Sequence, residues 1–119
     1  MYSPQVLDHF EHPRNSGELA GAGHVIEVRN PACGDLLRLS VSVQDGRVQA
    51  ARFLTRGCVS SIACSSWLAE WLEGKSAADL RGLTSETVAA SLGGLPPGAS
   101  HAAHLATDAV GALLHEWKD

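Results

Sequence analysis

An α+β fold, a three-stranded antiparallel sheet with helices packed on one face, is what the order of patterns along this 119-residue chain predicts. Three observations carry the expectation. Apolar residues alternate strictly through residues 37–43 and resume beyond an Asp45-Gly46 pair. From residue 60 onward the apolar spacing changes to the 3.6-residue period of helices. Only one short helical segment precedes the strands, so strands and helices are segregated in sequence rather than interleaved.

Residues 3–12 read as a short helix, with Ser3 as N-cap, Pro4 at the first helical position and Val6, Leu7 and Phe10 on one face. His12-Pro13 ends it, because proline disfavours helix in the residue before it. Residues 24–29 alternate weakly and form the first strand. Leu37, Leu39, Val41 and Val43 alternate with Arg38, Ser40, Ser42 and Gln44 in the second, and residues 48–54 form the third. Asp45-Gly46 is a hairpin signal, since the tight turn it suits needs positive φ. A helix follows from Ser60 to Glu73 with Gly74 as its C-cap, then two short helices over 76–80 and 85–92, the second capped by Ser85. Gly93 to Gly98 is a loop, and Ser100 caps a last helix that runs through Trp117 with Leu105, Ala109, Ala112 and Leu113 on one stripe. No repeat, linker or low-complexity segment appears, so the reading is a single domain over residues 1–119, long enough to bury a core without disulfides.

Composition removes several function classes. The formal charge is -4, and the nine Lys and Arg are scattered without a basic run, which argues against nucleic acid as a partner. No apolar stretch approaches the roughly 18 residues of a membrane helix. Met1-Tyr2-Ser3-Pro4 is not a basic-then-apolar signal, so a cytoplasmic location is expected. Three cysteines, an odd number, in a reducing compartment favour metal or thiol chemistry over a disulfide framework.

The chemistry-bearing residues sit in three separated segments. Cys33 lies between proline-led and glycine-led residues in Asn30-Pro31-Ala32-Cys33-Gly34-Asp35, a tight turn between strands, with Asp35 two residues on. Cys58 follows Gly57 at the start of the long helix, where unpaired N–H groups and the helix dipole favour a thiolate. His101 occupies the first turn of the last helix, where the dipole disfavours a cationic imidazole and so leaves the neutral form that a metal needs. Two thiols, a carboxylate and an imidazole suit zinc or iron. Each residue alone has a plainer reading: a turn aspartate bonding its own backbone, a cysteine at a strand-to-helix corner, a surface histidine.

Other candidates carry less. Cys64 is six residues beyond Cys58, about 600° of helical rotation, and reads as a core cysteine. His104 is one turn past His101 and shares its face. Trp67 and Trp71, four apart, read as core packing; His9 and His12 read as solvent-facing, and Tyr2 as a terminal residue.

Taken together the motifs resemble the IscU/NifU-like iron–sulfur cluster assembly scaffold family. The resemblance runs through Tyr2-Ser3, Asp8-His9-Phe10, Pro13-Arg14-Asn15, Asn30-Pro31, Cys33-Gly34-Asp35, Gly57-Cys58, Ile62-Ala63, Ser65-Ser66, Glu70-Trp71, Gly74-Lys75, Leu95-Pro96-Pro97, His101, Leu105-Ala106 and Asp108-Ala109. It implies the same α+β fold, and it implies Cys33, Asp35, Cys58 and His101 as ligands of zinc or a 2Fe–2S cluster. A cysteine desulfurase would deliver sulfur, an Hsp70-type chaperone would recognise Leu95-Pro96-Pro97, and apo iron–sulfur proteins would receive the cluster. The chain departs from the family at Ala102, where a third ligand cysteine would stand, at Gly98-Ala99 after the Leu-Pro-Pro motif, and at Val59 and Cys64. The expected role is therefore a scaffold, not an enzyme, with four ligands left for a tetrahedral metal or a two-iron cluster. Two further readings stand beside it. One is a zinc-dependent sulfur acceptor using Cys58 or Cys33, although that branch of the family carries an insertion and an arginine at the His101 position, both missing here. The other is a degenerate regulatory paralogue. A Cys33-His101-Asp35 hydrolase triad is a remote fourth.

Overall fold

The computed structural model describes residues 2–31 and 34–117. The elements run α1 (Pro4–Glu11), β1 (His24–Arg29), β2 (Leu36–Gln44), β3 (Arg47–Arg56), α2 (Val59–Leu72), α3 (Ala77–Arg81), α4 (Ser85–Ser91) and α5 (Ser100–Glu116). The fold is the α+β arrangement that the sequence predicts: one antiparallel sheet in the order β1-β2-β3, with α2 and α5 across one face.

Alternation decides which face is covered. The register sets Ile26, Leu39 and Phe53 side by side, with Leu37 and Val41 on either flank of Leu39, and all five are buried. The opposite face is open, with Val25 and Leu54 exposed. Asp45 and Gly46 both take positive φ, 55° and 75°, as a primed hairpin turn requires. A register shift at Ser42/Val43 bends the strand as it enters this turn.

The free edge of β3 is closed at both ends by neighbouring chain. Gly17 N–H donates to Phe53 O at 2.8 Å and Phe53 N–H to Asn15 O at 3.0 Å. Farther along, Val48 N–H donates to Lys75 O at 2.9 Å and Gly74 N–H to Val48 O at 2.9 Å. This pairing holds the strand that leads into Cys58 in place.

Helix α2 is buried on most of its circumference because small residues let its backbone approach its neighbours. Ala63, Cys64, Ser65, Ser66, Leu68 and Ala69 are all buried. Ser65 ties the helix to the sheet: Thr55 Oγ1 donates to Ser65 Oγ at 2.7 Å, and Ser65 Oγ donates to Ser61 O at 2.8 Å. Gly74, at φ +84°, closes the helix one residue past its C-cap Glu73.

Several local expectations are corrected. Helix α4 is capped by Thr84, whose hydroxyl accepts from Thr87 N–H, and Ser85 is its first helical residue. Helix α5 has Ala99 as N-cap with no side-chain cap bond, so Ser100 is inside the helix. His9 is buried rather than solvent-facing, because α1 lies on α2 and the imidazole Nδ1 meets Ser66 Oγ at 2.8 Å. Burial, with the positive Arg14 nearby, lowers its pKa below the ordinary value. Trp67 and Trp71 are half-buried, stacked at 5.8 Å between centroids, with Lys75 Nζ 5.0 Å from the Trp71 ring centre.

Candidate metal centre

Three chain segments converge at one end of the sheet. The first is the β1–β2 connection. Asn30 N–H donates to Asp35 O and Gly34 N–H to Asn30 O, each at 2.8 Å, and Gly34 adopts φ +78°. This tight closure delivers Asp35, 8% exposed, to the mouth of β2. The second is the β3–α2 corner, where Cys58 is the N-cap of α2 in extended conformation (φ -77°, ψ 173°) with no side-chain cap bond, leaving its sulfur available. The third is the start of α5, which presents His101.

The donor atoms of these residues form a triangle. Cys58 Sγ is 3.7 Å from Asp35 Oδ2 and 3.7 Å from His101 Nε2, and His101 Nε2 is 3.5 Å from Asp35 Oδ2. A tetrahedral zinc with ordinary Zn–S, Zn–N and Zn–O bonds would separate such ligands by about 3.3–3.6 Å. The triangle is therefore close to one face of a metal tetrahedron.

The imidazole is oriented for this. His101 Nδ1 lies 3.2 Å from Gly98 O, and a carbonyl can only accept, so Nδ1 carries the hydrogen. In neutral His101 the lone pair is then on Nε2, the atom that faces Cys58 and Asp35. With Cys58 ionised, a thiolate, a carboxylate and an imidazole nitrogen all direct electron pairs at one another. A cation between them turns mutual repulsion into ligation, and the mixed sulfur, nitrogen and oxygen set fits zinc or iron.

Two further residues shape the site. Gly57 is required by space: a Cβ there would stand 2.6 Å from Asp35 Cγ. Ser61, which the sequence reading passed over, donates its hydroxyl hydrogen to Asp35 Oδ2 and lies 3.4 Å from Cys58 Sγ. The available signal was the Cys-x-x-Ser spacing at a helix start, which brings a cap residue and the third helical residue together.

Of the four residues expected at the site, Asp35, Cys58 and His101 are brought together, with every donor atom within 4.8 Å of the others. Cys33 lies outside the described residues. Cys64 is fully buried in the core, its thiol pushed up to about 12 by burial and secondarily by Cys58. His104 does not join the converging donors; it lines a hollow of about 320 Å³ with Ser85, Leu95, Pro96, Pro97 and Ser100. Ala102 is fully buried beside His101.

The model of the NifU-like N terminal domain family matches residues 1–119. The chain belongs to this family. Among its NifU-like relatives, the iron–sulfur cluster assembly scaffold protein IscU of Escherichia coli strain K12 is 41% identical over 124 residues, covering 98% of this chain and 94% of its own. The scaffold protein IscU 1 of Archaeoglobus fulgidus is 43% identical over 110 residues, 92% of this chain and 72% of its own. Two solved structures agree on the fold. A nitrogen-fixing NifU-like protein (N-terminal) from Brucella abortus superposes with a TM-score of 0.71 at 21% identity, covering 94% of this chain and 88% of that one. A candidate SUF-system scaffold from Fervidobacterium islandicum gives 0.74 at 19% identity, covering 92% and 93%. No helix among the described residues is long and apolar enough to cross a membrane.

Proposed function

We propose that this NifU-like chain is a cluster-assembly scaffold that holds zinc, iron or a nascent 2Fe–2S cluster as cargo, with Asp35, Cys58 and His101 as ligands. The observation that carries this reading is the donor triangle with Nε2 of His101 turned inward by the Nδ1–Gly98 bond. Cys33 is the fourth ligand in this reading, supported by its place in the same short β1–β2 connection as Asp35. The 41–43% identity to proteins named as IscU scaffolds supports the cargo. A mixed oxygen, nitrogen and sulfur set would make a cluster more labile than four thiolates, which suits a site that must give its cargo up.

Sulfur would come from a cysteine desulfurase persulfide. The Cys58 or Cys33 thiolate attacks its outer sulfur, the desulfurase S–S bond breaks and the partner leaves as thiolate. In that sense the chain is a sulfur acceptor without being a turnover enzyme. Leu95, Pro96 and Pro97 line a hollow beside α5, which supports docking of an Hsp70-type chaperone there, and apo iron–sulfur proteins take the finished cluster. This chemistry belongs in a reducing cytoplasm. A regulatory role that handles no sulfur is a second reading, favoured by Ala102, a buried apolar residue where the family resemblance expects a third cysteine.

The test is metal analysis and the visible spectrum of protein purified without oxygen, beside Cys58→Ser and Ala102→Cys. Two irons per chain with iron–sulfur colour in the chain as given, lost in Cys58→Ser, supports the scaffold reading. Protein that retains neither metal ends it. Zinc alone, with iron–sulfur colour only in Ala102→Cys, selects the regulatory reading. Stimulation of a desulfurase that survives Cys33→Ser and Cys58→Ser removes the sulfur-acceptor role.

A further inference from the structure

Ser61 is the third residue of α2, in its first turn. Its carbonyl accepts from Ser65 Oγ at 2.8 Å, and Ser65 Oγ in turn accepts from Thr55 Oγ1 at 2.7 Å, so the first turn of α2 is tied to β3. Thr55 pairs with Leu37, one strand over and two residues from Asp35. The same β2–β3 pair thus fixes both the carboxylate and the helix turn that meets it.

The side chain of Ser61 is fully buried and faces two members of the triangle. It has one hydrogen to donate and two acceptors in reach, Asp35 Oδ2 and Cys58 Sγ; the hydrogen goes to Asp35. The oxygen that receives it is the one that faces Cys58 Sγ and His101 Nε2. The last side-chain torsion of aspartate is broad and roughly two-fold, so a bond to one named oxygen narrows the orientation in which Asp35 meets Cys58 and His101.

We infer that Ser61 is a positioning residue of the metal site: its hydroxyl holds Asp35 Oδ2 at the corner of the donor triangle and leaves the Cys58 sulfur undiminished as a ligand. This rests on the metal-holding reading above. Hydrogen-bond partners that orient metal ligands typically change metal affinity by roughly 10–100-fold when removed, and Ser61 acts through Asp35 in this way.

The experiment is titration of the metal-free full-length chain with Co²⁺, read by the thiolate-to-cobalt charge-transfer band and the visible d–d bands. The variants are Ser61→Ala, Ser61→Thr, Asp35→Asn, Cys58→Ser and the double Asp35→Asn/Ser61→Ala. The expected result is a loss of roughly 10–100-fold in cobalt affinity for Ser61→Ala, with shifted d–d bands. Ser61→Thr, which keeps the hydroxyl, restores both. The double variant binds no more weakly than Asp35→Asn alone, a comparison that does not depend on whether threonine fits the buried position. Wild-type affinity and bands in Ser61→Ala, or a Ser61→Ala loss that adds in full to that of Asp35→Asn, overturns the inference while leaving the site reading intact. A wild-type chain whose cobalt spectrum lacks a charge-transfer band, or whose band is undiminished in Cys58→Ser, overturns the site reading itself.

Discussion

Gly57 and Asp35 face each other so closely that a methyl group on Gly57 would lie 2.6 Å from Asp35 Cγ and 2.9 Å from each carboxylate oxygen. The backbone of Gly57 is not left-handed, so space alone keeps a side chain out. In Gly57→Ala the Asp35 carboxylate must swing out of the triangle or β3 must shift. We expect a fall of at least roughly 10-fold in zinc affinity, as for removal of a ligand-orienting group, with an overpacking cost of about 1–3 kcal/mol. Competition with a chromophoric chelator and urea unfolding measure the two separately. Unchanged zinc affinity would show that Asp35 is not held where it is needed.

Ser66 ties three segments together. Its hydroxyl accepts from Arg14 N–H at 2.8 Å and meets His9 Nδ1 at 2.8 Å. Ser66→Ala strands both groups, one of them buried, at a cost of about 1–3 kcal/mol. Hydrogen exchange should quicken in α1 first, because α1 reaches α2 through this contact. An unfolding midpoint equal to that of the parent chain would contradict the arrangement.

His9 makes stability depend on pH with a definite sign. Burial lowers its pKa in the folded chain, and the positive Arg14 adds to this, against the opposing pull of Glu70 and Asp8. Between the folded pKa and the ordinary value of 6.5, the unfolded chain binds more protons than the folded one. The stability that neutral His9 provides is therefore complete above 6.5 and is lost as pH falls below it. Urea midpoints should decline over that window in the parent chain and decline less in His9→Gln. Parallel profiles would assign the acid sensitivity elsewhere.

Cys64 should be chemically silent. Its thiol is pushed up to about 12, first by burial and then by Cys58. The thiolate is the reactive form, so iodoacetamide at pH 8 should label Cys58, which is exposed, and leave Cys64 untouched until denaturant is added. Peptide mass spectrometry reads both directly. Labelling of Cys64 at a rate like that of Cys58 in the native chain would show that α2 opens.

The sheet was legible because its signals are short-range. Strict alternation through residues 37–43 and the Asp45-Gly46 turn specify two strands and their pairing with little help from the rest of the chain. Helix starts were less legible. Thr84 takes the cap from Ser85, and Ala99 starts α5 with no side-chain cap bond, because neighbouring polar residues compete and packing of α5 on the sheet overrides local preference. At the candidate site, residue type and segment pointed to Asp35, Cys58 and His101, three residues whose donor atoms the fold brings within 4.8 Å of one another. What sequence pattern does not contain is distance. That Ser61 turns toward the donors follows from the phase of α2, which Ser65 and Thr55 tie to β3, and that His9 is buried follows from α1 lying on α2. Neither depends on residues adjacent in sequence.

Asp35, Cys58 and His101 come from segments that are strangers in the chain: Cys58 lies 23 residues from Asp35 and 43 from His101. An ion gripped by all three would close two large loops at once, as a pair of removable cross-links. Loading and unloading would then tighten and loosen the whole molecule. At free metal 100 times the dissociation constant, the bound state would gain about 2.7 kcal/mol against unfolding. Handing the cargo on would return the chain to its looser form, so an emptied copy would differ from a filled one in rigidity, a difference that a receiving or recycling partner can sense without touching the ligands.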